Sequence, residues 1–153
     1  MSNDRSVVHG TFVIDRDFSH PPATVFAAWA DPAKKAKWFG GPGSENPPQL
    51  FEFREGGRES SSGKIPNGPT YSFDVVYQDI VPDNRILYTY DMHLDGRKIS
   101  VSLAAIEFTP QGAGTHLKVT EYGLYLDGLD TMEQRRQGTE ALMRQLAAAL
   151  DRG

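Results

Sequence analysis

DTMEQRRQGTEALMRQLAAAL, residues 130 to 150, is the stretch from which the fold is read. Leu142, Met143, Leu146, Ala149 and Leu150 recur at helical spacing and make one apolar stripe. Asp130 and Glu133 look like a capping-box pair at its start, so the helix is expected to run from there to about Leu150. Some twenty residues at 1.5 Å each span roughly 30 Å, enough to cross a whole sheet. Traced back toward the N-terminus, the stripe continues through Thr139, Gly138 and Arg135 to Met132. The second half of the helix therefore suits a dry core, whereas the first half is small and polar. A helix that stays buried while its inner face changes in this way is expected to face a cavity or its mouth; the alternative is that its first turns project past the sheet into water. On the outer face, Glu140 and Arg144 stand at i,i+4 as an expected ion pair.

Working outward, the sequence before this helix alternates apolar and polar residues in short runs separated by turn signals. Phe12 and Ile14 mark a strand within 7–18, and His20-Pro21-Pro22 stops it. Ala23 to Ala30 reads as a short helix with Val25, Phe26 and Trp29 on one face. Asp31-Pro32 then caps a second helix, expected over Ala33 to Phe39. Gly40-Gly-Pro-Gly43 follows as a loop at the expected cavity mouth; it lacks the strand and the Lys-Ser/Thr ending of a phosphate-binding loop.

Further strands are expected over Gln49 to Arg54, Arg58 to Ile65 (polar, hence exposed or at an edge), and Tyr71 to Gln78. Arg85 to Leu94, Lys98 to Phe108 and Thr115 to Leu126 complete the series. Turns at Glu55-Gly56-Gly57, Asn67-Gly68, Pro82-Asp83-Asn84, Asp95-Gly96 and Gln111-Gly112 separate them. The expected architecture is α+β. A curved antiparallel sheet of about six to seven strands wraps the long C-terminal helix, with two short helices after the first strand. No linker or repeat divides residues 1–153, which are read as one domain.

Composition narrows the function classes. The net charge of −4, with no basic block, argues against nucleic acid as a partner. No cysteine is present, which excludes disulfides, thiolate metal sites and a Cys nucleophile. No apolar run reaches membrane-spanning length, and a cytoplasmic location is expected. The four histidines lack ligand spacing, so no metal and no cofactor is expected.

The candidate site follows from parity. In Leu117-Lys-Val-Thr-Glu-Tyr122, inward Leu117 and Val119 place Glu121 inward too. A buried carboxylate needs a partner, and Arg135 on the helix is the nearest inward candidate. The pair either fixes the helix on the sheet or meets a polar group of a ligand, with Glu121 as the candidate base. Trp38, Phe73, Tyr77, Tyr90 and Met92 are expected as aromatic and apolar lining, joined by Thr139 and Leu142 from the helix.

Several short motifs together carry a family resemblance. They are Phe12-Val-Ile-Asp15 with Pro21-Pro22, Val25-Phe26, Trp29 with Asp31-Pro32, and Trp38-Phe39. Gly56-Gly57, Asp79-Ile-Val-Pro82 with Arg85-Ile86, Gly114-Thr115 and Gly138 extend the series. In order and spacing the chain resembles the SRPBCC superfamily, also called START-like or birch-pollen-allergen-like. Within it the chain looks most like proteins similar to the C-terminal domain of the activator of the heat-shock-protein-90 ATPase. The resemblance implies a helix-grip fold around a hydrophobic cavity. It does not fix activity, because the fold hosts lipid carriers, cyclases and co-chaperone domains. Many relatives carry Trp after the helix glycine; Thr139 stands here and makes that part of the roof smaller and more polar. The leading expectation is a protein that binds a small apolar or aromatic molecule. One alternative is a cyclase or dehydratase-type enzyme in which Glu121 and a tyrosine exchange protons. Another, implied by the family name, is a stress-linked chaperone partner. A homodimer is left open.

Overall fold

Tight turns with positive φ connect the long strands. Asp95 and Gly96 adopt φ of 50° and 78°, the paired left-handed conformation that matches the twist of flanking strands. Asp83 (φ 63°) turns the preceding hairpin and Gly112 (φ 59°) the following one. In this computed structural model, residues 5–39 and 48–153 are described. The expected loop Gly40-Gly-Pro-Gly43 lies outside them.

The elements in chain order are β1 (Val7–Phe18), α1 (Pro22–Ala30), α2 (Pro32–Lys35), β2 (Leu50–Phe51) and β3 (Arg58–Lys64). There follow β4 (Thr70–Val81), β5 (Arg85–Leu94), β6 (Arg97–Gln111), β7 (Gly114–Leu126) and α3 (Met132–Arg152). Seven strands form one antiparallel sheet in the order β1-β7-β6-β5-β4-β3-β2. The first strand thus pairs with the last, and the intervening hairpins run across to the far edge. This is the α+β helix-grip arrangement expected from the sequence. No helix among the described residues is long and apolar enough to cross a membrane.

Burial follows the strand period. In β7, Leu117, Val119, Glu121 and Tyr125 are buried on one face, while Tyr122 and Leu124 are exposed on the other. The core joins this inner face to α1 and to the second half of α3, where Met143 and Leu146 are fully buried. At the start of α3, Met132 Cβ lies where a side chain at Gly10 would stand, 2.8 Å from its ideal Cβ. Gly10 pairs across the sheet with Gly123, over which the Tyr125 ring folds. This glycine notch lets the helix and the ring lie close against β1 and β7.

Five local expectations are corrected. The cap of α3 is Thr131, whose hydroxyl accepts from Gln134 N at 3.1 Å; Asp130 turns inward instead. Glu140 pairs with Arg136 at 2.8 Å and not with Arg144, because Arg136 reaches both Glu133 and Glu140. α2 ends at Lys35, and Trp38 and Phe39 continue it only as a turn bonded back to Lys35 O. The strand expected over Gln49 to Arg54 shortens to two residues. Arg54 N folds back to Glu52 O and swings Phe53 against Phe26 and Tyr77. Finally, β3 is not simply an exposed edge. Its Glu59 is 1% exposed and faces inward opposite Val75.

Candidate functional site

Between α3 and the sheet lies a cavity of about 920 Å³. Its floor is built by the inner faces of the central strands: Phe73 from β4, Tyr88, Tyr90 and Met92 from β5, Ile106 from β6, and Val119 and Glu121 from β7. Trp29 from α1, with Trp38 and Phe39 from the turn after α2, closes one end. Trp38 is fixed there by Nε1 donating to Ala28 O at 3.0 Å, and its ring packs edge-on against Trp29. The roof is the first half of α3, with Arg135, Gly138, Thr139, Leu142 and Met143. The exposed lining residues, Lys64 at the end of β3, Ile65 and Pro66 after it, and Gln134 and Gly138 on α3, mark the mouth.

The helix changes character where the core gives way to the cavity. From Met143 onward it packs on side chains, whereas a Cβ added at Gly138 would meet no atom within 4 Å. Thr139 lines the roof, but its hydroxyl donates to Arg135 O at 2.9 Å, so its one proton is already used within the helix.

One polar cluster interrupts the apolar wall. Arg135 Nη1 donates to Tyr90 Oη at 2.9 Å, and Tyr90 in turn donates to Glu121 Oε1. With Glu121 ionised the direction of this relay is fixed, because a guanidinium only donates and leaves the single tyrosine proton for the carboxylate. Arg135 Nη2 donates to Ser100 Oγ at 2.8 Å and to Asp130, and Nη1 also approaches Ser102 Oγ at 3.5 Å. Glu121 and Arg135 therefore stand at ion-pair distance, 3.8 Å, joined through the Tyr90 hydroxyl and not by a direct hydrogen bond. Burial pushes the Glu121 carboxyl up to about 7, against the lowering effects of the Tyr90 hydrogen bond and the Arg135 charge. Burial likewise raises the Tyr90 hydroxyl, and the Glu121 charge adds to the effect.

Eight of the nine sequence-predicted residues, Trp38, Phe73, Tyr90, Met92, Glu121, Arg135, Thr139 and Leu142, meet at this space. Tyr77 does not. It shares the inner face of β4 with Phe73, but it lies behind the end wall, where it donates to Glu59. Lys35 Nζ donates to both Glu59 oxygens, at 2.8 and 3.0 Å, and sits 4.5 Å from the centre of the Phe39 ring. Lys35 and Glu59 are 3% and 1% exposed, so this ion pair ties α2 and the end wall to the sheet from inside. No pattern within α2 or β3 announced it; only the register of β3 on β4 brings Glu59 beneath Lys35. Tyr88 and Val119 could have been added by the parity that gave Tyr90 and Glu121. Asp130 was taken for a cap and is instead Arg135's carboxylate partner.

A family model described as activator of Hsp90 ATPase homolog 1-like protein matches residues 19–151. The chain belongs to this family. Among solved structures, this Hsp90-ATPase-activator-like chain is 42% identical to the Mll3558 protein of Rhizobium loti. That match has a TM-score of 0.85 and covers 94% of this chain and 99% of the other. An uncharacterised protein from Rhizobium leguminosarum is 37% identical, with a TM-score of 0.91 over 99% of this chain and 100% of that one. The CV1439 protein of Chromobacterium violaceum is 26% identical, with a TM-score of 0.75 over 92% and 96%. Among curated proteins none matches. The helix-grip fold of the SRPBCC superfamily is thus shared with these three chains over nearly their whole length.

Proposed function

We propose that this protein binds a small, mostly apolar aromatic molecule in the space between α3 and the sheet. The observation that carries the reading is the cavity itself. Its 920 Å³ falls within the range of about 300–1,000 Å³ typical of small-molecule pockets. Aromatic rings wall its floor and one end, with one polar cluster to orient a ligand. The neutral fluorophore N-phenyl-1-naphthylamine, bright only in apolar surroundings, tests it. Saturable enhancement at one probe per chain and a rise in Tm are expected, since a ligand bound to the folded state alone stabilises it. Gly138→Trp adds bulk where a Cβ meets nothing, so the fold should persist while the probe binds at least about tenfold more weakly. A probe that binds both proteins equally, or neither, contradicts the reading.

The Tyr90–Glu121 hydrogen bond favours a second reading, proton transfer to or from the bound molecule. A carboxyl held near neutrality beside a cavity suits a general acid or base. Turnover of a cyclisable or dehydratable aromatic substrate, lost in Glu121→Gln with probe binding retained, would establish it. Turnover unaffected by that substitution would remove Glu121 from the chemistry.

A further inference from the structure

The polar cluster carries more than orientation, because its donors and acceptors are unequally used. A guanidinium has four Nη protons, and each of those on Arg135 has an acceptor: Tyr90 and Ser102 at Nη1, Ser100 and Asp130 at Nη2. The fork that would clasp a ligand carboxylate is therefore occupied by the protein itself. Two carboxylates, Asp130 and Glu121, already flank this one cation. An anionic ligand group would find no free pair of donors there, and it would add a third negative charge in a partly dry site.

Glu121 shows the opposite balance. Its Oε1 accepts from Tyr90, while Oε2 has no hydrogen-bond partner among the described residues. The residue is 3% exposed and lines the cavity. Oε2 opens on that space, so a molecule that fills it displaces the water that would solvate the oxygen and must supply a donor in its place. A cationic donor is disfavoured for another reason: an ammonium carries a large desolvation cost into a mostly apolar space and brings three donors to one free carboxylate oxygen.

We infer that the ligand presents a neutral hydroxyl of the phenol or enol class to Glu121 Oε2, and that the site rejects both carboxylates and amines. This inference rests on the cavity being a ligand site, and it adds the charge and hydrogen-bonding sense of the group that enters first. The ring bearing the hydroxyl then lies along the floor beside Tyr90 and Met92, under Gly138.

Isothermal titration of the intact protein at pH 8 with four probes of one skeleton tests it. 2-Naphthol is neutral and donates; 2-methoxynaphthalene is neutral without a donor; 2-naphthoate is anionic; 2-naphthylmethylamine is cationic. 2-Naphthol should bind about tenfold or more tightly than each of the other three, one charge-assisted hydrogen bond being worth about that factor. In Glu121→Gln, the amide can accept from Tyr90 and donate to an ether oxygen. The preference for 2-naphthol over 2-methoxynaphthalene should then fall to within about threefold. Equal binding of 2-naphthol and its methyl ether overturns the hydroxyl assignment and leaves the cavity reading standing. Binding of the naphthoate or the amine as tightly as 2-naphthol overturns the charge assignment in the same way. Silence of all four probes overturns both. The wild-type series decides even if the variant fails to fold.

Discussion

Glu121 should make the protein less stable as pH rises, and by an amount the site itself sets. Its carboxyl is pushed up to about 7 in the fold, against an ordinary value of 4.5. Between those values the folded chain holds a proton that the unfolded chain has released. The contribution is therefore fully present below about pH 4.5 and is lost as pH climbs through about 7. At 1.36 kcal/mol for each pH unit of difference, the total is about 3 kcal/mol. Gln at this position cannot ionise, yet it keeps an acceptor for the Tyr90 hydroxyl. The perturbation is thus Glu121→Gln, and the readout is the unfolding free energy of both proteins in urea between about pH 4.5 and 8. Groups elsewhere, including His116 between Asp15 and Asp17, titrate in both proteins and cancel in the difference. Wild-type stability minus variant stability should fall by about 3 kcal/mol across the range, most steeply near about pH 5.5–6, midway between the two values. A flat difference would mean that Glu121 is solvated in the fold. A difference that rises with pH would mean that Tyr90 and Arg135 outweigh burial and hold the carboxyl below its ordinary value. Either result refutes the reasoning.

Lys35→Met should cost about 3–5 kcal/mol in urea denaturation, because it leaves the Glu59 carboxylate buried with only the Tyr77 hydroxyl for a partner. Lys35→Met combined with Glu59→Leu should recover much of that loss; a double variant as unstable as the sum of the single ones would show that the two charges do not interact. Thr131→Ala should destabilise by about 1 kcal/mol and lower Tm by about 2–4 °C, with Thr131→Ser close to wild type. An unchanged Tm in Thr131→Ala would remove the assigned cap.

The fold was legible because its signals are local. Period-two alternation in Tyr71 to Gln78 and in Leu117 to Tyr122 fixed which side chains face inward. Asp95-Gly96 marked a turn that only left-handed φ can make. The stripe from Leu142 to Leu150 gave the helix and its buried side. The same parity brought Tyr90, Met92 and Glu121 to one place, and helical spacing set Arg135 and Thr139 opposite them. What local pattern could not give is anything that depends on how elements dock. Tyr77 has the inward parity of Phe73, but the sheet carries it past the end wall to Glu59. Nothing in the sequence around Lys35 marks it for burial; only the docking of α2 brings it onto Glu59. Tyr90 as the bridge between Glu121 and Arg135 required the register of β5 on β6 and of β6 on β7. Asp130 read as a cap because its spacing to Glu133 fitted one, and only the docked helix turns it toward Arg135.

The most direct test of the central claim is the crystal structure of the protein grown with N-phenyl-1-naphthylamine. The account predicts density for one probe molecule between α3 and the sheet, stacked beside Tyr90 and Met92 and reaching beneath Gly138. A probe seated only on the outer face around Tyr122 and Leu124, with side chains collapsed into the space under α3, would contradict it.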